Sequence, residues 1–252
     1  MNCILLPAAN FVHDQAHIDT LSQINHVTDV LGGAVGESLK IGQLGGQLGT
    51  AIIDDISSEY IQLREIRLTD PPPPKLDLTV ILALPRPKVL RRLIMDMTAL
   101  GVRDIILINS VRTQKSYWQS PMLARLDEFV LEGLQQGVDT IAPTISLQKR
   151  FKPFVEDDLA QLITDRAVVA HPYSSQSFGQ YLEKQHLQKQ QLPLPSKVTS
   201  VLPSVVCIGA EGGWIDYEIA LLGAQGCTPV NIGPRILRTE AAVNALLGQW
   251  LL

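Results

Sequence analysis

Residues 71–74 of this 252-residue chain are four consecutive prolines, and no helix or central strand runs through such a segment. Polyproline favours a stiff extended linker, so the stretches on either side must each bury a core of their own. Before it, runs rich in Val, Ile and Leu at 37–42, 49–56 and 60–68 are broken by Gly-Gly, Gly-Glu and Asp-Asp. That spacing predicts a small β-barrel or curled sheet over residues 1–70. Beyond a linker at 71–76 the period changes. Residues 78–84 form a continuous apolar run, the signature of a strand buried on both faces. Val89, Leu90, Leu93, Ile94, Met97 and Leu100 then share one helical face, and Gly101 ends it.

The alternation continues to the C-terminus. Strands are expected at 104–108, 140–147, 167–170, 205–208 and 228–232, and helices at 122–136, 155–163, from Asp216 and from Thr239. Strands alternating with helices make residues 77–252 an α/β domain with a mainly parallel sheet covered on both faces. The Gln- and Lys-rich stretch 180–200 reads as a helix end and a mobile surface loop. The last helix is apolar on nearly every face, which predicts burial within the domain or between subunits.

Charge narrows the function classes. The net charge is −4 and the first 75 residues hold 4 Lys+Arg against 9 Asp+Glu, so a generic nucleic-acid coat is disfavoured. No apolar run approaches a membrane span, and the start lacks the basic residues and long apolar stretch of a secretory signal. Three cysteines without CxxC spacing predict a reduced, cytoplasmic protein with no structural metal.

Two glycine-containing loops each follow a strand and precede a helix: Ile208-Gly209-Ala210-Glu211-Gly212-Gly213-Trp214 and Ile232-Gly233-Pro234-Arg235-Ile236-Leu237-Arg238-Thr239. In open α/β sheets, ligands sit at such strand ends. Glu211 and Asp216 would repel a pyrophosphate, and neither loop matches GxxxxGK[ST] or GxGxxG. S-adenosylmethionine, a sulfonium cation without phosphate, is compatible with these carboxylates.

The motifs GAEGGWIDYEI and NIGPRILRTEAAV resemble the paired signature of the small-subunit ribosomal RNA uridine-N3 methyltransferases, a family of the SPOUT superfamily. Fainter resemblance extends to His26, Val30-Leu31, Gly36-Glu37 and Leu100-Gly101-Val102. Ala210 stands where that family usually has proline, Gly32 where its barrel has arginine, and Ala99 where it has glutamate. The resemblance implies a PUA-like N-terminal β-barrel for RNA and a C-terminal SPOUT α/β domain with a deep trefoil knot. It also implies a homodimer through the knot region and last helix, and S-adenosyl-L-methionine as cofactor. The substrate would be small-subunit ribosomal RNA or the assembled subunit. The family's three cofactor loops map onto Ala170 and His171; Ile208, Gly209, Glu211, Gly212 and Gly213; and Ile232, Gly233, Arg235, Ile236, Leu237 and Thr239.

Methylating a uridine N3 requires alignment and stabilisation of charge spreading onto the uracil oxygens. Arg238, then Arg235, are the candidates for that role; each is equally suited to bracing the loops against Glu240 or Glu211. Glu211 could orient the cofactor ribose, cap its loop or act as base. His171 is a polar residue at a strand end. For RNA, the densest basic cluster is Arg86, Lys88, Arg91 and Arg92, with Arg112 and Lys115 beside Tyr117 and Trp118. Lys149, Arg150 and Lys152 read as a solvated face. Two other functions fit the same residues: a SPOUT enzyme acting on tRNA or a ribose 2′-hydroxyl, and a non-catalytic RNA-binding assembly factor.

Overall fold

The computed structural model describes residues 2–190 and 201–251, so part of the expected loop at 180–200 lies outside the described residues. The chain divides into two units, Met1–Pro74 with Asp127–Ala142, and Lys75–Leu126 with Pro143–Leu252.

The first unit is a curled six-stranded sheet. Its strands are β1 (Ile4–Leu6), β2 (Phe11–Val12), β3 (Gln15–Ile18), β4 (Ser38–Gln43), β5 (Leu48–Ile56) and β6 (Ile61–Asp70), in the order β1-β4-β5-β6-β3-β2. All neighbours are antiparallel except β1 and β4. Bulges between β5 and β6 bend the ribbon, as extra residues on one strand do. Alternate residues point inward, and Ile4, Leu6, Ile18, Ile41, Ile53, Ile61 and Leu63 form the core with Ile24 from helix α1 (Leu21–Asn25).

The second unit is α/β. Its strands are β7 (Leu76–Ala83), β8 (Val102–Ile108), β9 (Thr144–Gln148), β10 (Ala167–Ala170), β11 (Val205–Ile208) and β12 (Cys227–Val230). They lie in the order β12-β10-β11-β7-β8-β9, and every neighbouring pair is parallel. Helix α2 (Pro87–Ala99) starts with Pro87, whose missing N–H costs nothing in a first turn. It buries Leu90, Leu93, Ile94 and Met97, four of the six residues read as its apolar face.

Helix α3 (Leu126–Gly137) follows β8 in sequence but groups with the first unit. Polar contacts tie it there: buried Gln135 receives a 2.8 Å hydrogen bond from Gln23 Nε2, and its carbonyl accepts from the Asn2 and Cys3 amides. The same attachment shortens the strand expected at 140–147. Gly45 N donates to the Thr140 carbonyl at 2.8 Å, and the parallel ladder begins only at Thr144. The segments α4 (Phe151–Pro153) and α5 (Leu159–Leu162), with the wider turn between them, and helix α7 (Asp216–Ala224) cover one sheet face. Phe154, Val155, Leu159, Trp214 and Leu222 pack there against Ile81, Ile106, Val169, Val205 and Cys207. Helix α6 (Phe178–Gln190) follows β10, and helix α8 (Thr239–Leu247) packs on α2 and β11. Within the chain α8 is one-sided: Val243, Leu246 and Leu247 are buried, whereas Ala241 and Ala245 are exposed. Pro229 sits in β12, where a missing donor is tolerated because that strand is the sheet edge.

Candidate active site

Because the six strands of the second sheet are parallel, all their carboxyl-end loops emerge on the same edge. Register then decides which loops meet. Ala170 pairs with Ile208 on one side and Val230 on the other, and Ile208 pairs in turn with Leu82. The three segments mapped as cofactor loops therefore leave the sheet from one rung, beside the loops after β7 and β8.

The loop after β11 is held tightly. Gly213 adopts φ +66° and donates to the Ala210 carbonyl at 2.8 Å, closing a turn that an L side chain would strain. Ala210, where a proline was expected from the resemblance, is buried in the core, and Trp214 packs on Phe151 with ring centroids 5.7 Å apart. The Glu211 carboxylate accepts from the Arg86 backbone amide at 3.1 Å and faces the Arg86 Nε at 3.2 Å. It is thus engaged by its own chain, through the loop after β7. The Arg112 guanidinium donates to the Gly212 carbonyl.

Sequence reasoning missed Glu218. This carboxylate is fully buried; it accepts the Ile215 amide at 2.9 Å and the Val111 amide at 2.7 Å. It splices the exit of the β11 loop to the turn after β8. The available signal was its position, third in a helix that opens directly after a glycine loop, where an acid satisfies orphan amides.

Asn231 is the second missed residue. It lies just past β12, ending the strand expected to reach Ile232. Its backbone amide donates to the Gln176 carbonyl at 2.9 Å and its carbonyl accepts from the Phe178 amide at 2.8 Å. Its side chain donates to the Ser174 carbonyl at 2.8 Å and accepts from Gly233 N at 3.0 Å. Every polar group of Asn231 is used, and the loops after β10 and β12 are locked together. His171 is half-buried, donates its amide to the Val230 carbonyl at 2.9 Å and sets its ring edge-on to Tyr173.

The predicted cations divide into two groups. Arg86, Arg92 and Arg112 are spent within the unit, Arg92 on Glu240 at 3.1 Å. Lys88 and Lys115 are exposed, as is Arg91, which also has a partner within the chain. Pro234, Arg235, Ile236, Leu237 and Arg238 form an exposed ridge, with Ile236 70% accessible, and Thr239 is buried at the start of α8. Trp118 is half-buried and donates its indole N–H to the Asn109 side chain at 2.8 Å. Lys152 pairs with Glu156 across one helical turn, in keeping with a solvated face.

Comparison with known proteins agrees with this fold. "Ribosomal RNA small subunit methyltransferase E" of Treponema pallidum is 26% identical over 251 residues, covering 97% of this chain and 88% of the relative. Among solved structures, a Legionella pneumophila protein in complex with the bound cofactor SAM superposes with a TM-score of 0.71. It is 21% identical and covers 99% of this chain and 96% of that one. The ribosomal RNA small subunit methyltransferase E of Neisseria gonorrhoeae, bound to S-adenosyl methionine, gives 0.68 at 18% identity, covering 98% and 96%. The profile of the RNA methyltransferase domain matches residues 72–251, the strand-and-loop assembly just described, and the chain belongs to that family.

Proposed function

We propose that this chain methylates N3 of a uridine in small-subunit ribosomal RNA, using S-adenosylmethionine held by the loops after β10, β11 and β12. The observation that carries the reading is the single rung Val230–Ala170–Ile208, which brings the three segments to one place. The cofactor fits what is there. Ile236 and Leu237, 70% and 38% accessible, offer apolar surface to a purine, and the loops supply backbone donors and acceptors rather than a phosphate cradle. When bound, it supplies an electrophilic methyl group.

The chain's own residues do the rest. Glu211, already engaged by Arg86, shapes the loop rather than moving a proton. Arg238 and Arg235 are exposed, and no described acid pairs with either, so they are available to a uracil oxygen or an RNA phosphate. A fixed guanidinium at a developing oxyanion stabilises charge that arises only as the imide proton is lost. RNA is held mainly by the second unit, through Lys88, Lys115 and this arginine pair. The first unit carries 3 Lys+Arg against 13 Asp+Glu, a balance of −10 that repels phosphates.

Three architectural readings accompany this one. The chain passes from β12 at the sheet edge back to α8 on β11, the path a trefoil knot takes when the 232–238 segment threads the preceding loops. The exposed side of α8 serves as the face of a homodimer. The curled sheet of the first unit is then the PUA-like barrel of this family. The decisive experiment is transfer of labelled methyl from S-adenosylmethionine to small ribosomal subunits from cells lacking the protein. N3-methyluridine is the expected product. Label on a ribose, on tRNA or on another base would replace the substrate assignment, and cofactor binding without transfer would favour a non-catalytic assembly factor.

A further inference from the structure

The turn after β8 belongs to none of the three mapped cofactor loops, yet it touches the loop after β11 at two points. Behind, the Val111 amide and the Ile215 amide share the buried Glu218 carboxylate, at 2.7 and 2.9 Å. In front, the Arg112 guanidinium donates to the Gly212 carbonyl. The turn is itself pinned: the Ser110 and Thr113 hydroxyls lie 2.9 Å apart in a buried pair, and Thr113 Oγ1 reaches the Leu84 carbonyl.

Gly212 carries the argument. Its φ is not in the left-handed region, so backbone conformation does not demand glycine there. A Cβ at this position would instead lie 2.9 Å from Arg112 Cβ and 3.0 Å from Arg112 Cδ. The space that a side chain would need is filled by the arginine stem. We propose that Arg112 is a positioning residue for the cofactor loop, with Gly212 as its matching socket and Glu218 anchoring the turn that presents it. This rests on the reading of the β11 loop as a cofactor loop. It differs from the view that glycine at 212 serves close approach of the cofactor itself.

A double-mutant cycle separates the two. Three quantities are measured on the full chain: S-adenosylmethionine affinity by calorimetry, amide hydrogen exchange of residues 209–215 without cofactor, and the thermal midpoint. Arg112→Ala is expected to weaken cofactor binding about tenfold and to speed exchange in 209–215, with the midpoint nearly unchanged because Arg112 is exposed. Arg112→Lys keeps stem and charge and should recover part of both. Gly212→Ala should be equally damaging in the parent and add little in the Arg112→Gly background, where the Cβ that stands 2.9 Å away is removed along with the rest of the stem.

An undiminished Gly212→Ala penalty in that background would overturn the proposal, because the glycine would then be serving the ligand. Unchanged exchange in Arg112→Ala would overturn it as well. If the parent does not bind S-adenosylmethionine, the cofactor reading fails, while the exchange measurements still decide whether Arg112 braces the loop.

Discussion

Removing the Glu218 carboxylate should be the most damaging single polar substitution in the second unit. Glu218→Ala removes a fully buried carboxylate and leaves the partly buried Val111 and Ile215 amides without their acceptor. Each buried, unsatisfied backbone group costs about 1–3 kcal/mol, so the pair costs about 2–6 kcal/mol. For a domain of this size each kcal/mol lowers the midpoint by about 2–4 °C, giving a central expectation of about 12 °C. Glu218→Gln keeps one acceptor oxygen but turns an NH2 group toward the other amide, and should lose about half as much. Glu240→Ala is the control: its partner Arg92 is 65% exposed, and such pairs contribute about 0–1 kcal/mol. The assay is thermal unfolding followed by tryptophan fluorescence, because Trp118, Trp214 and Trp250 all lie in the second unit. A drop below about 2 °C for Glu218→Ala, or one matching Glu240→Ala, would refute the reasoning.

Burial pushes the Cys3 thiol up from 9.0 to about 11, so its thiolate is scarce at pH 8 and alkylation should run at least about a hundredfold slower than for an exposed cysteine. The folded state binds that proton more tightly than the unfolded chain, so stability is intact below pH 9 and falls as pH rises toward 11. Denaturant titrations should show a steeper loss over that window for the parent than for Cys3→Ala. Cys207 and Cys227 have sulfurs 4.0 Å apart, but they sit on strands separated by β10, about 9.5 Å between chains, beyond the reach of a disulfide. Mass spectrometry after diamide treatment should find no crosslink between them. Arg238→Ala and Arg235→Ala should shift the midpoint by less than about 2 °C, since neither makes a described ion pair; Arg238→Ala should lower methyl transfer more than tenfold at saturating cofactor. Equal transfer in both variants and the parent would remove them from the reaction.

Apolar period carried much of the fold into the sequence. Continuous runs became the buried strands β7, β8, β10 and β11, and the 3.6 period of Leu90, Leu93, Ile94 and Met97 became the buried face of α2. What stayed hidden was set by polar contacts between distant residues. Gln135 ties α3 to the first unit through Gln23, over 112 positions, and nothing local to residues 126–137 announces that. The short strands β1, β2 and β3 went unread because two to four residues hold too few positions to show alternation. At the site, the glycine loops were visible as motifs, whereas the use of Arg86 and Arg112 on Glu211 and Gly212 was not. A basic cluster looks the same in sequence whether it faces phosphate or its own chain.

The rung through Val230, Ala170 and Ile208 also fixes a scale. Neighbouring strands stand about 4.8 Å apart whatever their side chains, so the three loop origins are spaced by peptide geometry alone. In the proposed site the loop origins are therefore set in strand widths, and only the loops themselves adjust the space between them. Substitutions in the loops can retune its polar edges while the spacing of those origins stays constant, which lets such a site tolerate extensive sequence drift.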